Sequence, residues 1–136
     1  MSQPSDCSSD LTTLSFEVMP PRKESLVKPF WQTVERLLSV FPDFLSVTYG
    51  AAGQDRHSAR GVVRKLVKDS PVQPIAHLTC VGTTPSEVSE VVTDYLNAGV
   101  RTFLALRGDP PVGRPDWQPS PGGVSSATEL VTLIRS

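Results

Sequence analysis

Apolar residues recur along this chain in two alternating rhythms. Leu14-Ser15-Phe16-Glu17-Val18 alternates with period two and predicts a short strand, stopped by Pro20-Pro21. Pro29 then suits the first turn of a helix, and Phe30, Val34, Leu37 and Leu38 give it one apolar stripe before Pro42 ends it. Phe44-Leu45-Ser46-Val47-Thr48 predicts a second strand, running into the small-residue loop Tyr49-Gly50-Ala51-Ala52-Gly53. Val62, Val63, Leu66 and Val67 line one face of a second helix, with Arg60, Arg64, Lys65 and Lys68 mostly outward. Pro71 and Pro74 break the chain before a third strand, Ile75-Ala76-His77-Leu78-Thr79-Cys80.

Thr84-Pro85-Ser86-Glu87 is the clearest helix start. Thr84 can cap, Pro85 fits the first turn, and Glu87 stands three residues after the cap. Val88, Val91, Val92, Tyr95 and Leu96 supply the buried face, and Gly99 suits the left-handed end. Thr102-Phe103-Leu104-Ala105-Leu106 predicts the fourth strand. A long Pro/Gly loop from Arg107 to about Val124 leads to a last amphipathic stretch, Ala127 to Arg135.

Four strand-helix units in a row imply α/β structure with parallel strands and helical crossovers. A small open, doubly wound sheet fits, and so does the first half of a (β/α)8 TIM barrel, since a complete barrel runs to about 250 residues. Residues 1–12 read as a disordered polar tail and 13–136 as one partial barrel domain.

Composition narrows the function classes. The chain has 136 residues, enough for one domain, and 38% are hydrophobic, enough for a core. Thirteen basic against fourteen acidic residues leave a net charge of -1, which argues against nucleic-acid binding and electrostatic membrane docking. No apolar run approaches the roughly 20 residues of a membrane span, and the polar N-terminus lacks the pattern of a secretory signal. Cys7 in the tail and Cys80 in a strand make no disulfide framework, and neither histidine stands near a cysteine at metal-ligand spacing, so the expectation is a cytoplasmic protein without a metal site.

The polar residues gather where strands finish. Glu17 lies near the end of the first strand, Thr48 and Tyr49 end the second, His77 and Thr79 belong to the third, and Arg107-Gly108-Asp109 follows the fourth. In parallel α/β folds the C-terminal strand ends share one rim, where active sites are built. Each residue also has a plain structural alternative. Glu17 could be a solvated outward residue, or a carboxyl whose pKa is raised by burial between Phe16 and Val18. His77 could satisfy a local hydrogen bond, Thr48 and Tyr49 could be ordinary strand residues, and Arg107 and Asp109 could pair across Gly108. Spacing alone supports the rim of an α/β enzyme. A phosphate-loop pattern, a dinucleotide G-x-G-x-x-G and a G-x-S-x-G elbow are all absent. Trp31 fits helix packing, and Trp117 has no assignment from sequence.

Taken together, the motifs resemble a known family. Ser15-Phe16-Glu17-Val18-Met19-Pro20-Pro21-Arg22 resembles the opening strand of the methylenetetrahydrofolate reductases. Ser46-Val47-Thr48-Tyr49-Gly50-Ala51, Ala76-His77-Leu78-Thr79-Cys80 and Ala105-Leu106-Arg107-Gly108-Asp109-Pro110-Pro111 are similar to the next three strand motifs of that family, in order, and the match covers nearly all the chain from Leu14. The resemblance implies a (β/α)8 flavoprotein that reduces 5,10-methylenetetrahydrofolate to 5-methyltetrahydrofolate, with electrons passing from NADH or NADPH through FAD. It implies that Glu17 is the catalytic acid, protonating N10 of the folate to open its five-membered ring. Thr48 matches a nicotinamide-contacting position. Tyr49, Ala51, His77, Arg107, Gly108, Asp109 and Ala127 match flavin-binding positions, and Asp109 also touches the folate. A homo-oligomer is implied at full length. The family commonly has an aromatic residue where this chain has Ser126, this chain's loop from Val112 to Val124 is longer and richer in proline than the resemblance leads one to expect, and the family's barrel has a second half. The alternative is therefore a truncated, non-catalytic fragment, or an assembly partner whose barrel another chain completes. A small open phosphate-binding module is a weaker third reading, disfavoured by the missing phosphate loop.

Overall fold

A strand sends successive side chains to opposite faces, so its apolar positions decide which face is covered. In the computed structural model, which describes residues 12–49 and 56–136, β1 (Ser15–Val18), β2 (Phe44–Val47), β3 (Gln73–Thr79) and β4 (Thr102–Leu106) all turn one set of alternate residues toward helices. Val18, Leu45, Val47, Ala76 and Leu78 are buried on that side, and Phe16, Phe103 and Ala105 pack against them. The helices are α1 (Val27–Leu38), α2 (Arg56–Asp69), α3 (Pro85–Ala98) and α4 (Ala127–Arg135). Val34, Ala59, Val62, Val63, Leu66, Val88, Val91, Val92, Tyr95 and Leu130 complete the core from the helix side.

All strand pairs are parallel, in the order β1-β2-β3-β4. This order separates the two architectures that the sequence leaves open. Right-handed crossovers that always step in the same direction place every helix on one face. A doubly wound sheet reverses direction and covers both faces. The present sheet steps one way only, as the first half of a (β/α)8 barrel does. Its second face, carrying Phe44, Leu104 and Leu106 with 40%, 43% and 39% exposure, faces outward.

The expected elements recur with small shifts. The first helix starts two residues before Pro29, after a 3-10 turn over Glu24–Leu26. Pro29 still lies in the first turn, whose N–H groups have no intrahelical acceptor anyway. Pro74 does not break the chain but belongs to β3, opposite Leu45, near the strand's start where a missing N–H is tolerated. The helix start at Thr84 is a complete capping box: Glu87 N donates to Thr84 Oγ1 (3.2 Å) and Thr84 N donates to Glu87 Oε2 (2.8 Å). Gly99 closes α3 in the left-handed region at φ 104°.

Candidate functional site

The parallel register builds the site row by row. Glu17 stands beside Ser46, Ser46 beside Ile75, and Ile75 beside Thr102, all on the open face. Two residues further along, Thr48 follows Val47, the partner of Ala76, and so stands next to His77, which is paired with Leu104. Glu17, Thr48 and His77 thus share one face toward the C-terminal ends of their strands.

Glu17 is exposed there. Of the two sequence readings, the solvated outward residue holds and the carboxyl buried between Phe16 and Val18 does not, because strand alternation sends both neighbours to the helix side. Thr48 is held in place by Val18, whose carbonyl accepts from Thr48 N (3.0 Å) and from Thr48 Oγ1 (3.4 Å). His77 is the exception on this face: it is buried, and its Nε2 has no hydrogen-bond partner. Burial lowers its pKa from the ordinary 6.5, and the Glu17 carboxylate partly opposes the shift. A neutral imidazole with one free nitrogen can donate to or accept from a ligand.

The turn after β4 completes the rim. Arg107 O accepts from Val81 N (2.9 Å) and from Cys80 Sγ (3.5 Å), pinning this turn to the end of β3. Gly108 adopts φ 83°, and a Cβ there would lie 2.7 Å from Val81 Cγ1 and 3.1 Å from Thr79 Cβ. Only glycine meets both demands. Arg107 and Asp109 are exposed, and the ion pairs among the described residues are Arg64–Asp94 and Lys65–Asp69. Arg107 and Asp109 therefore do not neutralise each other, and Arg107 Nε reaches only Gly108 O at 3.4 Å. Its guanidinium remains able to hold an anionic group.

Ala127 opens α4, directly after Ser126. Ser126 has a local reason to be serine: its hydroxyl accepts from Glu129 N (3.1 Å) and caps the helix. Glu129 in turn accepts from Ser125 N (3.0 Å) and Ser125 Oγ (2.8 Å), and these bonds lower its pKa. Tyr49 lies elsewhere. It is buried in the helix-side core, with the Arg56 guanidinium 5.4 Å from its ring centroid. It is not brought together with Glu17 and His77. Ala51 lies outside the described residues, as do the rest of that loop and Cys7.

Trp117 is half-buried and lines a cavity of about 120 Å³ with Arg107, Gly108 and Ser125, among others. Val124 N donates to Thr83 O (3.1 Å), so the proline-rich loop folds back onto the turn after β3. Sequence reading also missed Arg56 and took Arg60 as mostly outward. Both line a helix-side cavity with Tyr49. The signal was present: stepping back from Val63 by three, four and seven residues reaches Arg60, Ala59 and Arg56 on the same helix face. Among the described residues no helix is long and apolar enough to cross a membrane.

The family model of methylenetetrahydrofolate reductase matches residues 4–136. The 5,10-methylenetetrahydrofolate reductase of Escherichia coli (strain K12) is 36% identical over 124 residues, covering 90% of this chain and 39% of the relative. That of Buchnera aphidicola is 41% identical over 95 residues, 70% of this chain and 32% of its own. Methylenetetrahydrofolate reductase (NADH) 1 of Arabidopsis thaliana is 32% identical over 125 residues, 92% of this chain and 21% of its own. The chain thus spans well under half the length of these relatives.

Proposed function

The chain belongs to the methylenetetrahydrofolate reductase family, and from that premise we propose that it supplies the catalytic acid and part of the flavin cradle for reducing 5,10-methylenetetrahydrofolate to 5-methyltetrahydrofolate. The observation that carries this reading is the grouping of Glu17, Thr48 and His77 on one open sheet face, with Arg107-Gly108-Asp109 at the adjoining rim.

The residues suit FAD. His77 Nε2 is buried and unpartnered, as a group awaiting a ligand atom is, and the neutral ring costs less to bury than a charged one. The free Arg107 guanidinium suits a diphosphate. Bound FAD would supply the hydride, received from a nicotinamide donor. In this reading the chain's own residues position and protonate. Glu17 gives a proton to N10 of the folate, which opens the ring and makes the bridging carbon electrophilic. Asp109 adds negative charge beside the flavin and touches the folate. Thr48, fixed by Val18 O, meets the nicotinamide. Tyr49 serves from behind the sheet, beside the Arg56 guanidinium, and Ala127 places the start of α4. The plant relatives are named for NADH. NADH is the donor to test first, with NADPH as its competitor. A cytoplasmic setting and a homo-oligomer complete the proposal.

The test separates the half-reactions in a protein that carries this chain at the length of its bacterial relatives. Glu17→Gln should keep reduction by the nicotinamide donor and lose folate reduction by roughly 10²–10⁴-fold, the usual span of general acid catalysis. Normal folate turnover would remove Glu17 from the mechanism. One observation favours the second reading, an assembly partner completed by another chain: among the described residues β1 and β4 each have a neighbour on one side only. The 136-residue chain should then bind FAD weakly and self-associate. A monodisperse monomer with tight FAD binding would contradict it.

A further inference from the structure

Five buried polar side-chain atoms among the described residues lack a hydrogen-bond partner, and four of them belong to two packed helices: Arg56 Nε and Arg60 Nε on α2, Asp94 Oδ2 and Tyr95 OH on α3. Buried polar groups are almost always satisfied, and of these four the two arginine atoms belong to residues that share one cavity. Arg56 and Arg60 line a cavity of about 160 Å³, with Tyr49, Thr79, Thr83, Glu87 and Glu90 among the other lining residues, whereas Asp94 and Tyr95 do not line it. At ~30 Å³ each it would take about five waters, and a phosphate group needs less.

Most of the polar lining is already engaged. Thr83 Oγ1 donates to Cys80 O at 2.8 Å, and Glu87 Oε2 accepts from Thr84 N. Arg56 Nη2 donates to Val81 O at 3.0 Å while its guanidinium lies over Tyr49. Arg60 makes no ion pair with any described residue, and its field reaches the fully buried Tyr95 hydroxyl. Arginine has donors and no acceptor, so its unmet need is an acceptor. Two guanidinium groups one helical turn apart present that need side by side, and their planar forks fit the oxygens of an oxyanion. Glu87 and Glu90 oppose an anion, but both are exposed to solvent and their charge is screened there, whereas both Arg Nε atoms are sealed from water.

We propose that the Arg56–Arg60 cavity between α2 and α3 binds a phosphate-class oxyanion, free or carried by a small phosphomonoester. Thr79 and Tyr49 bring the cavity to the strand ends, but none of Glu17, Thr48, His77, Arg107 and Asp109 lines it, so the proposal goes beyond the reductase reading.

The test is calorimetric titration of the chain with inorganic phosphate and with glycerol 3-phosphate, at constant ionic strength in chloride. Saturable binding of one equivalent is expected. Arg60→Gln should weaken it by about tenfold or more, the consequence of losing a charge-assisted contact. Arg60→Lys keeps the charge and the apolar stem, and should weaken binding by several-fold because the fork is lost. Lys65→Gln, the same charge removed from an exposed position on the same helix, should leave binding unchanged. Equal affinity for both probes identifies free phosphate as sufficient, and tighter binding of the ester identifies a phosphomonoester. Absence of saturable binding, or equal losses in Arg60→Lys, Arg60→Gln and Lys65→Gln, would overturn the proposal. Turnover is not read, so the reductase reading survives either result.

Discussion

The two faces of the sheet are made by the same four strands and behave as different materials. On the helix side Leu45 keeps 1% of its surface exposed, while on the other side Leu104 keeps 43%. The helix side holds the fold together through apolar burial, at roughly 25 cal/mol per Å² removed from water. The open side contributes little burial and carries the polar groups that can do chemistry. Hydrophobicity by itself does not tell the two apart, because leucine stands on both. What separates them is which alternate set of positions the crossovers cover.

The largest expected effect tests the covered face. Leu45→Ala should cost about 2–5 kcal/mol of unfolding free energy, by lost transfer energy and a residual cavity. A chemical denaturation midpoint close to that of the parent would show that the core lies elsewhere.

Gly108 lies at the rim where the two faces meet. Gly108→Ala places a Cβ against Val81 and Thr79 at a positive φ, and about 1–3 kcal/mol of destabilisation is expected from the crowding alone. Thermal melting of the variant reads this directly, and an unchanged melting temperature would mean that the turn does not press on β3 as described.

His77 breaks the contrast, as a buried side chain on the open face. Its folded pKa lies below the ordinary 6.5, chiefly through desolvation, so the folded state binds this proton less readily than the unfolded state does. The stability it contributes is fully present above pH 6.5 and is lost as pH falls from there through the lowered folded value. Urea unfolding followed across that window should show the decline in the parent and a flatter curve in His77→Gln. Parallel curves would assign the decline to other groups.

The smallest effect should come from the open face. Leu104→Ser should change stability by no more than about 0.5 kcal/mol in this chain, as exposed substitutions do. A loss comparable to that of Leu45→Ala would show that the face is covered in solution, by a second copy for instance, and would turn the comparison around.

Much of this was legible in the residues. The capping box at Thr84 and Glu87, the left-handed Gly99 and the bounds of β4 and α4 follow from local chemistry, and the structure has them where the pattern predicts. Glu17 and His77 were found as candidates because polar residues inside apolar strands stand out. Of the two readings open for Glu17, the solvated one holds. Flanking residues in a strand belong to the opposite face, so Phe16 and Val18 say nothing about what covers the carboxylate. Tyr49 stands past the end of β2 with its neighbour Thr48, but the same alternation sends its side chain to the helix side. Arg60 reads as outward because charged side chains on a helix are usually solvated, and Arg56 does not stand out in the sequence, whereas in the fold both line the cavity beside Tyr49.

The order of elements, their caps and the pairing of period two with period 3.6 were determined by the sequence alone, because each depends on residues within a few positions of one another. The direction in which the strands add, and with it the bare face and the shared neighbourhood of Glu17 and His77, was decided only in the tertiary structure. Those two residues are sixty positions apart, and nothing local states whether the next strand joins on the left or on the right. Packing settles that, by placing every helix where it buries the most apolar surface.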